Sequence, residues 1–206
     1  MACFLQKIRR ACQKIRAIKV KKPITIEVKD RKGILIFSKQ TRKHGDLKNL
    51  PIVANEHFSE TSFCDCDFRD IEFELTEFYD NDFSGASFSN VGFNLCIFDN
   101  AKFDNVRMDS VEFRGVIGLD GLFRNCEFEN VQFVGTTLDG ARFVNEKIVD
   151  SSFLPDCYGV KSSIRAVNFS RSIFKNVQFF ETEYDKETIF PESFDPEEEL
   201  GLILVP

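Results

Sequence analysis

The chain has 206 residues and a formal net charge of −6, from 27 Lys/Arg and 33 Asp/Glu, a size for one domain with a short appendage. Its longest apolar run lies near Leu202–Val205. That run, and an N-terminus without the roughly 7–15 apolar residues of a leader, argue against a spanning helix and a secretory signal. Seven cysteines make an odd count, which fits free thiols in the cytosol better than a disulfide framework.

Residues 1–22 read as an amphipathic basic helix. Phe4, Leu5, Ile8, Ala11, Cys12, Ile15 and Ile18 follow helical spacing, with Lys7, Arg9, Arg10, Lys14 and Arg16 opposite. Pro23 ends it. Alternation over 24–28 and 33–37, around the turn Asp30-Arg31-Lys32-Gly33, predicts a hairpin. Residues 38–50 form a basic connector. Together 1–50 make an N-terminal region, followed by a repeat body over 51–195 and a C-terminal tail over 196–206.

The repeat is a register of five residues. Phe58, Phe63, Phe68, Phe73, Phe78, Phe83, Phe88, Phe93, Phe98 and Phe103 lead it. Met108, Phe113, Gly118, Phe123, Phe128, Phe133, Leu138, Phe143, Ile148, Phe153 and Tyr158 continue it. After a one-residue slip it resumes at Ile164, Phe169, Phe174, Phe179, Tyr184, Ile189 and Phe194. A fixed period marks a repeat architecture whose interior is committed to stacking, so function falls on its surface and ends. Five matches neither the helical period nor the strand period, so each unit contains a turn. The position two before each register residue is mostly small or β-branched (Cys66, Ala86, Val91, Cys96, Ala101), as fits a short extended piece whose alternate side chains share a face. The position two after holds turn formers such as Asp65, Asp70, Asn90, Asn100 and Asn105. Gly118 is a defect whose void Ile117 is expected to fill by turning inward. Glu146 and Asp156 fall in small inward positions where a carboxylate is costly to bury, so a bulge or protruding loop is expected over 144–163.

Units such as Cys66-Asp67-Phe68-Arg69-Asp70 and Ala101-Lys102-Phe103-Asp104-Asn105 closely resemble the pentapeptide-repeat family, over roughly residues 56–195. The resemblance implies an all-β solenoid, a right-handed quadrilateral β-helix with 20 residues per coil and up to seven coils. Its core is then Phe63, Phe68, Phe73, Phe78, Phe83, Phe88, Phe93, Phe98, Phe103, Phe113, Phe123, Phe128, Phe133 and Phe143. The phenylalanine-biased interior, with cysteines in the small position, resembles the Qnr-type topoisomerase-protecting branch. The ending 190–197 resembles the C-terminal caps of cyanobacterial members.

The charge is polarised. Residues 1–60 carry a net +10 and residues 61–206 a net −16. The stretch 65–82 holds Asp65, Asp67, Asp70, Glu72, Glu74, Glu77, Asp80 and Asp82 against Arg69 alone. These eight are the candidate partner-binding residues. Either they neutralise the basic N-terminal region, or they copy the charge and width of duplex DNA. The second reading is what the topoisomerase-protecting resemblance implies. An unbroken acidic stripe on the folded surface would favour it.

No catalytic arrangement, metal site or cofactor-binding motif emerges. Cys64 and Cys66 straddle the outside and inside of one unit, the two histidines have no ligand spacing, and phosphate-cradling glycine loops are absent. A non-catalytic scaffold for an unidentified protein partner is the leading expectation. A DNA-mimicking modulator of a type II topoisomerase such as gyrase is the alternative. For residues 1–22 three readings stand: a cap on the first coil, a partner-binding helix, or an interfacial membrane anchor. Direct nucleic-acid binding by the basic region lacks interleaved aromatics. The apolar tail Leu200–Val205 is expected to fold over the last coil or to pair with a second copy in a homodimer.

Overall fold

A computed structural model describes residues 24–29, 32–41, 50–118 and 121–206. The helix expected over 1–22 and most of the connector 38–50 lie outside the described residues. From Ile52 onward the chain winds into an all-β solenoid of about eight turns, with no helix among the described residues. Up to Gln132–Val134 each strand bonds in parallel to the strand 20 residues on. Val53 pairs with Phe73, Phe73 with Phe93, Phe93 with Phe113 and Phe113 with Phe133. Twenty residues hold four five-residue units, so the interior is lined by four columns, headed by Val53, Phe58, Phe63 and Phe68.

Local geometry explains the period. The register residue sits mid-strand with its side chain inward and its two neighbours outward, while the small residue two before it also faces in. The residue two after turns the corner in the left-handed region. Asp65, Asp70, Asn90, Asn105 and Asn125 have φ of 50–58°, a conformation that Asn and Asp tolerate better than other side chains. All fourteen expected core phenylalanines are at most 5% exposed. Rings one coil apart stack nearly parallel: Phe68 on Phe88 at 4.7 Å, Phe103 on Phe123 at 4.7 Å, Phe133 on Phe153 at 4.6 Å. The spacing of about 4.8 Å between strands imposes that separation, and offset stacking makes it favourable.

Five expectations change. Tyr158 is 82% exposed rather than in the core. The chain loops out after Leu154, and Phe153 pairs with Phe179, six residues beyond the regular spacing. Asp156 builds that loop instead of facing inward: its carboxylate accepts the N–H groups of Tyr158 and Val160, both at 2.8 Å. A second extra residue enters near Asp185, whose carboxylate gathers the N–H groups of Ala166, Glu187 and Thr188. Phe190 therefore packs on Tyr184 and Phe194, and Ile189 is 48% exposed. Ile117 stays outside, and the space beside Gly118 is taken by Leu138, whose Cδ2 lies 3.3 Å from where a Cβ would stand. Finally, the Phe58 column runs through eight levels, to Leu204, rather than seven: Leu202–Leu204 pairs with Thr182–Tyr184 and extends the solenoid.

The hairpin pairs Ile24–Lys29 with Leu35–Thr41, longer than expected. It covers the first coil. Val28 is buried, Phe37 stands edge-on to Phe58 at 5.2 Å, and Lys39 Nζ donates to the Ala54 carbonyl at 3.1 Å and pairs with Glu56. A solenoid's open end needs such a cover.

Candidate interaction surfaces

The eight acidic candidates span about one turn of the coil, so they ring the solenoid instead of lining one side. Glu72 and Glu74 flank Phe73, Glu77 precedes Phe78, Asp82 precedes Phe83, and Asp67 precedes Phe68, each on a different face. Asp65, Asp70 and Asp80 are corner residues with φ of 58°, 50° and 55°. Several are engaged. Asp67 accepts from Arg69 Nε at 2.7 Å and Ser87 at 2.8 Å. Asn90 donates to Asp70 at 2.7 Å, and Glu77 meets His57 at 2.6 Å.

Along the axis the acids meet bases. Asp82 is followed one coil on by Lys102 at 3.2 Å, and Asp104 by Arg124. Arg107 is followed by Glu127 at 3.0 Å, and Asp139 lies 2.9 Å from Arg165 Nε. Arg124 holds the Asp104 carboxyl below the usual range. Exposed pairs of this kind contribute little stability each, but they break every acidic run. A shallow depression of about 530 Å³ over Ser87 and Ser89 is lined by both signs, Asp67 and Arg69 on one side, Arg107 and Glu127 on the other. Among the described residues the folded surface therefore carries an acidic ring, not a stripe.

The interior holds groups that would be reactive elsewhere. Cys66, Cys96 and Cys126 are buried free thiols, with Cys64 half-exposed beside them. Burial pushes the Cys96 thiol up to about 12 and raises Cys126 as well. A thiol so held is a poor nucleophile. Among the described residues no group of three His, Cys, Asp or Glu is arranged around a metal. Glu146 is 1% exposed. Burial raises its carboxyl to about 7, against the N–H groups of Cys126 at 2.7 Å and Val144 at 3.1 Å, which hold it down.

One surface feature is missing from the acidic reading. Three corners of the coil are mostly polar. Along one of them Asn145 donates to Asn125 at 3.2 Å and Asn125 to Asn105 at 3.4 Å. The fourth corner, between the Phe73 and Phe58 faces, carries Leu75 and Leu95 in the left-handed region, with φ of 49° and 53°. They are 49% and 52% exposed. Leu95 lies over Gly115, where a Cβ would stand 2.7 Å from its Cδ2. Just round the corner Ile97 bridges Ile117, which is 41% exposed. Above them the 155–160 loop rests on Gly135 through Asp156 and presents Val160, 55% exposed. The result is an apolar ridge along the axis, with Glu72, Glu74 and Glu77 at its hairpin end. The signal was legible: two leucines stand where the repeat puts Asn, Asp or Gly.

Stacked five-residue units on a 20-residue pairing define the chain as a β-solenoid of the pentad type. The family model described as pentapeptide repeats, nine copies, matches residues 73–117. Residues 73–117 thus match as pentapeptide repeats, and the same pairing runs beyond the matched segment, from Ile52 to Leu204. It is similar to several solved structures. One is Rfr23, a pentapeptide repeat protein from the cyanobacterium Cyanothece 51142, at 16% identity over 53% of this chain and 63% of that one, with a TM-score of 0.36. Another is QnrB1, a plasmid-mediated fluoroquinolone resistance protein, at 18% identity over 75% of this chain and 82% of that one, with a TM-score of 0.37. A third is HetL from the cyanobacterium Nostoc, a protein involved in heterocyst differentiation regulation, at 9% identity over 74% and 82%, with a TM-score of 0.24. The chain thus spans less than two thirds of Rfr23. No curated protein matches it.

Proposed function

We propose that the protein is a non-catalytic scaffold that binds a protein partner through the apolar ridge, with residues 51–195 as the binding body and 196–206 closing its far end. The observation that carries this reading is the pair Leu75 and Leu95. Leucine in the left-handed region costs about 1–2 kcal/mol relative to the right-handed conformation, and neither side chain is fully buried in return. Strained backbone that burial does not explain is where a binding role is sought. An exposed apolar strip with a charged margin has the make-up of an interface core and rim. Among the described residues five cysteines stand outside any disulfide, which supports the reading of a reducing compartment such as the cytosol.

The rival reading, a DNA-mimicking modulator of a type II topoisomerase, needs a continuous acidic surface. The ring at 65–82, broken above by ion pairs, does not supply one. Affinity capture with the full chain separates the two. The double variant Leu75→Asn with Leu95→Asn should lose the partner. Reversal of Asp67, Glu72, Glu77 and Asp82 to Lys should keep it, and the purified protein should leave gyrase supercoiling untouched. Inhibition of supercoiling that the four reversals abolish would transfer the function to the acidic ring.

A further inference from the structure

We propose that the Phe143 face carries a binding site for a small phosphate monoester, formed by Arg142 and Arg171 with Asn168 and Ser170. The site is separate from the ridge. It adjoins the corner of Asn105, Asn125 and Asn145, diagonally opposite the corner of Leu75 and Leu95, so both surfaces can be occupied together.

The first supporting observation is how the arginines are paired. Arg69, Arg107, Arg114, Arg124 and Arg165 each meet a carboxylate. Arg142 and Arg171 are the two described arginines that make no ion pair among the described residues, and both are exposed. They line one depression of about 360 Å³, together with Phe143, Val144, Asn168 and Ser170. A surface that otherwise matches its arginines to acids leaves two guanidiniums unmatched in the same place. On that face Asp104 is already held by Arg124, and round its other corner Asp139 is held by Arg165.

The second is the donor set. Arg142 bridges Asn168 in the next coil, and the same register sets Ser170 over Val144. Residues 169–172 close a turn, with the Ser172 N–H donating to the Phe169 carbonyl at 2.8 Å. Arg171 stands on that turn, at the corner where the coils below carry asparagine. Asn168 Oδ1 accepts the Ser170 N–H at 2.9 Å, which leaves the Asn168 NH2 and the Ser170 hydroxyl to donate. Among the described residues no carboxylate lines the depression. Every polar side chain in it is a donor, and two are permanently charged.

Four donor groups and two positive charges select the ligand. A carboxylate offers two oxygens and one charge. A phosphate monoester offers three acceptor oxygens and a charge of about −1.5 to −2 at neutral pH, and guanidinium forks match it bidentately. The volume is at the low end for small-molecule sites, and Val144 gives the ester carbon an apolar neighbour. A nucleic-acid strand needs a row of unmatched cations. The other basic residues along this face, Arg124 and Lys102, are committed to Asp104 and Asp82.

The test is an NMR titration of the nitrogen-labelled full chain with glycerol 3-phosphate, in about 0.1 M salt, where exposed charges more than about 10 Å apart are screened. Arginine side-chain N–H signals and the backbone N–H signals of residues 168–171 should shift together. Arg142→Ala and Arg171→Ala should each weaken binding roughly tenfold, the loss of one charge-assisted contact. Arg107→Ala, which removes the same charge on another face, should leave binding unchanged. Acetate should bind about tenfold more weakly than the monoester. Arg171→Lys keeps the charge without the fork, so it should recover only part of the affinity, and it decides the case if an alanine variant does not fold. No shifts at these residues, or alanine variants that bind as the native chain does, overturn the proposal. So does acetate that binds as tightly as the monoester. Inorganic phosphate that matches glycerol 3-phosphate makes this a simple-anion site and overturns the monoester assignment. A phosphoserine peptide that binds far more tightly than glycerol 3-phosphate gives the site to a modified protein and overturns the small-molecule assignment.

Discussion

The coils up to Phe153 and the coils after it are built from one motif and packed differently. In the first part rings one coil apart stay within 18° of parallel, as in Phe63 on Phe83 at 11° and Phe123 on Phe143 at 18°. Across the 155–160 loop one column keeps its stacking, Phe153 on Phe179 at 11°, while another loosens. Phe143 meets Phe169 at 42°, and Phe169 meets Phe190 at 6.2 Å. The small inward positions change in parallel. On the Phe68 face they run Cys66, Ala86, Val106 and Cys126, then Glu146 and Ser172. Polar groups enter the core where they find backbone partners in the neighbouring coil. Ser151 accepts from Val131 N–H at 3.1 Å, and Ser162 donates to the Phe133 carbonyl at 3.0 Å. Ser172, stacked on Glu146, has a buried hydroxyl without a partner. Buried polar side chains occur in both parts, Thr76 and Thr136 in the first and Ser162 and Thr182 in the second, and each donates to a carbonyl of the neighbouring coil.

The largest expected effect is at the far end. Deleting residues 196–206 removes the strand bonded to Thr182–Tyr184 and the Gly201 backbone that lies against Phe179, next to the partly buried Phe190 and Phe194. An open strand edge templates aggregation. Light scattering should show large particles, and an unchanged mass in solution would mean that the tail covers nothing. Next comes the ladder itself. Phe93 lies between Phe73 and Phe113 at 5.4 and 5.2 Å, so Phe93→Ala should cost about 3–5 kcal/mol in denaturant unfolding. Phe174, in the looser part and only partly buried, should cost clearly less on truncation. Equal losses would erase the distinction between the two parts.

Glu146, in the last coil before the 155–160 loop, offers a pH readout at the boundary between the two parts. Its folded carboxyl is raised to about 7 from an ordinary 4.5. The neutral form is favoured in the folded state, so its contribution is greatest below pH 4.5. It declines as pH rises from 4.5 to about 7, then stays flat. The loss is on the order of 3 kcal/mol. Urea midpoints between pH 4.5 and 8 should follow that slope, and Glu146→Gln should flatten it. A slope that survives the substitution would place the titrating group elsewhere.

The period, the inward phenylalanines and the corner Asn and Asp residues were legible because each unit repeats one local solution. What stayed hidden came from local capture of the backbone by single carboxylates. Asp156 and Asp185 each close a turn that absorbs extra residues, and periodicity alone assigned Tyr158 and Ile189 to the core. The acidic candidates misled for a geometric reason. Residues adjacent in a solenoid sequence travel round the circumference, so a charge run becomes a ring. The ridge was readable only by asking which side chains broke the corner rule.

That rule supplies the smallest and most discriminating prediction. At the polar corner Asn105→Leu should cost about 1–2 kcal/mol, because leucine takes up a left-handed backbone and the Asn125 to Asn105 bond is lost. At the ridge the opposite exchange, Leu75→Asn or Leu95→Asn, relieves that same backbone cost and gives up about 1 kcal/mol of partly buried apolar surface. The two terms nearly cancel, so thermal midpoints should move by no more than a few degrees. A loss of 3 kcal/mol or more, of the size seen for buried leucines, would make Leu75 and Leu95 core residues in disguise. The ridge would then be a structural seam. Near-neutral stability leaves two strained leucines that the fold does not require, and binding is the remaining reason for them to be there.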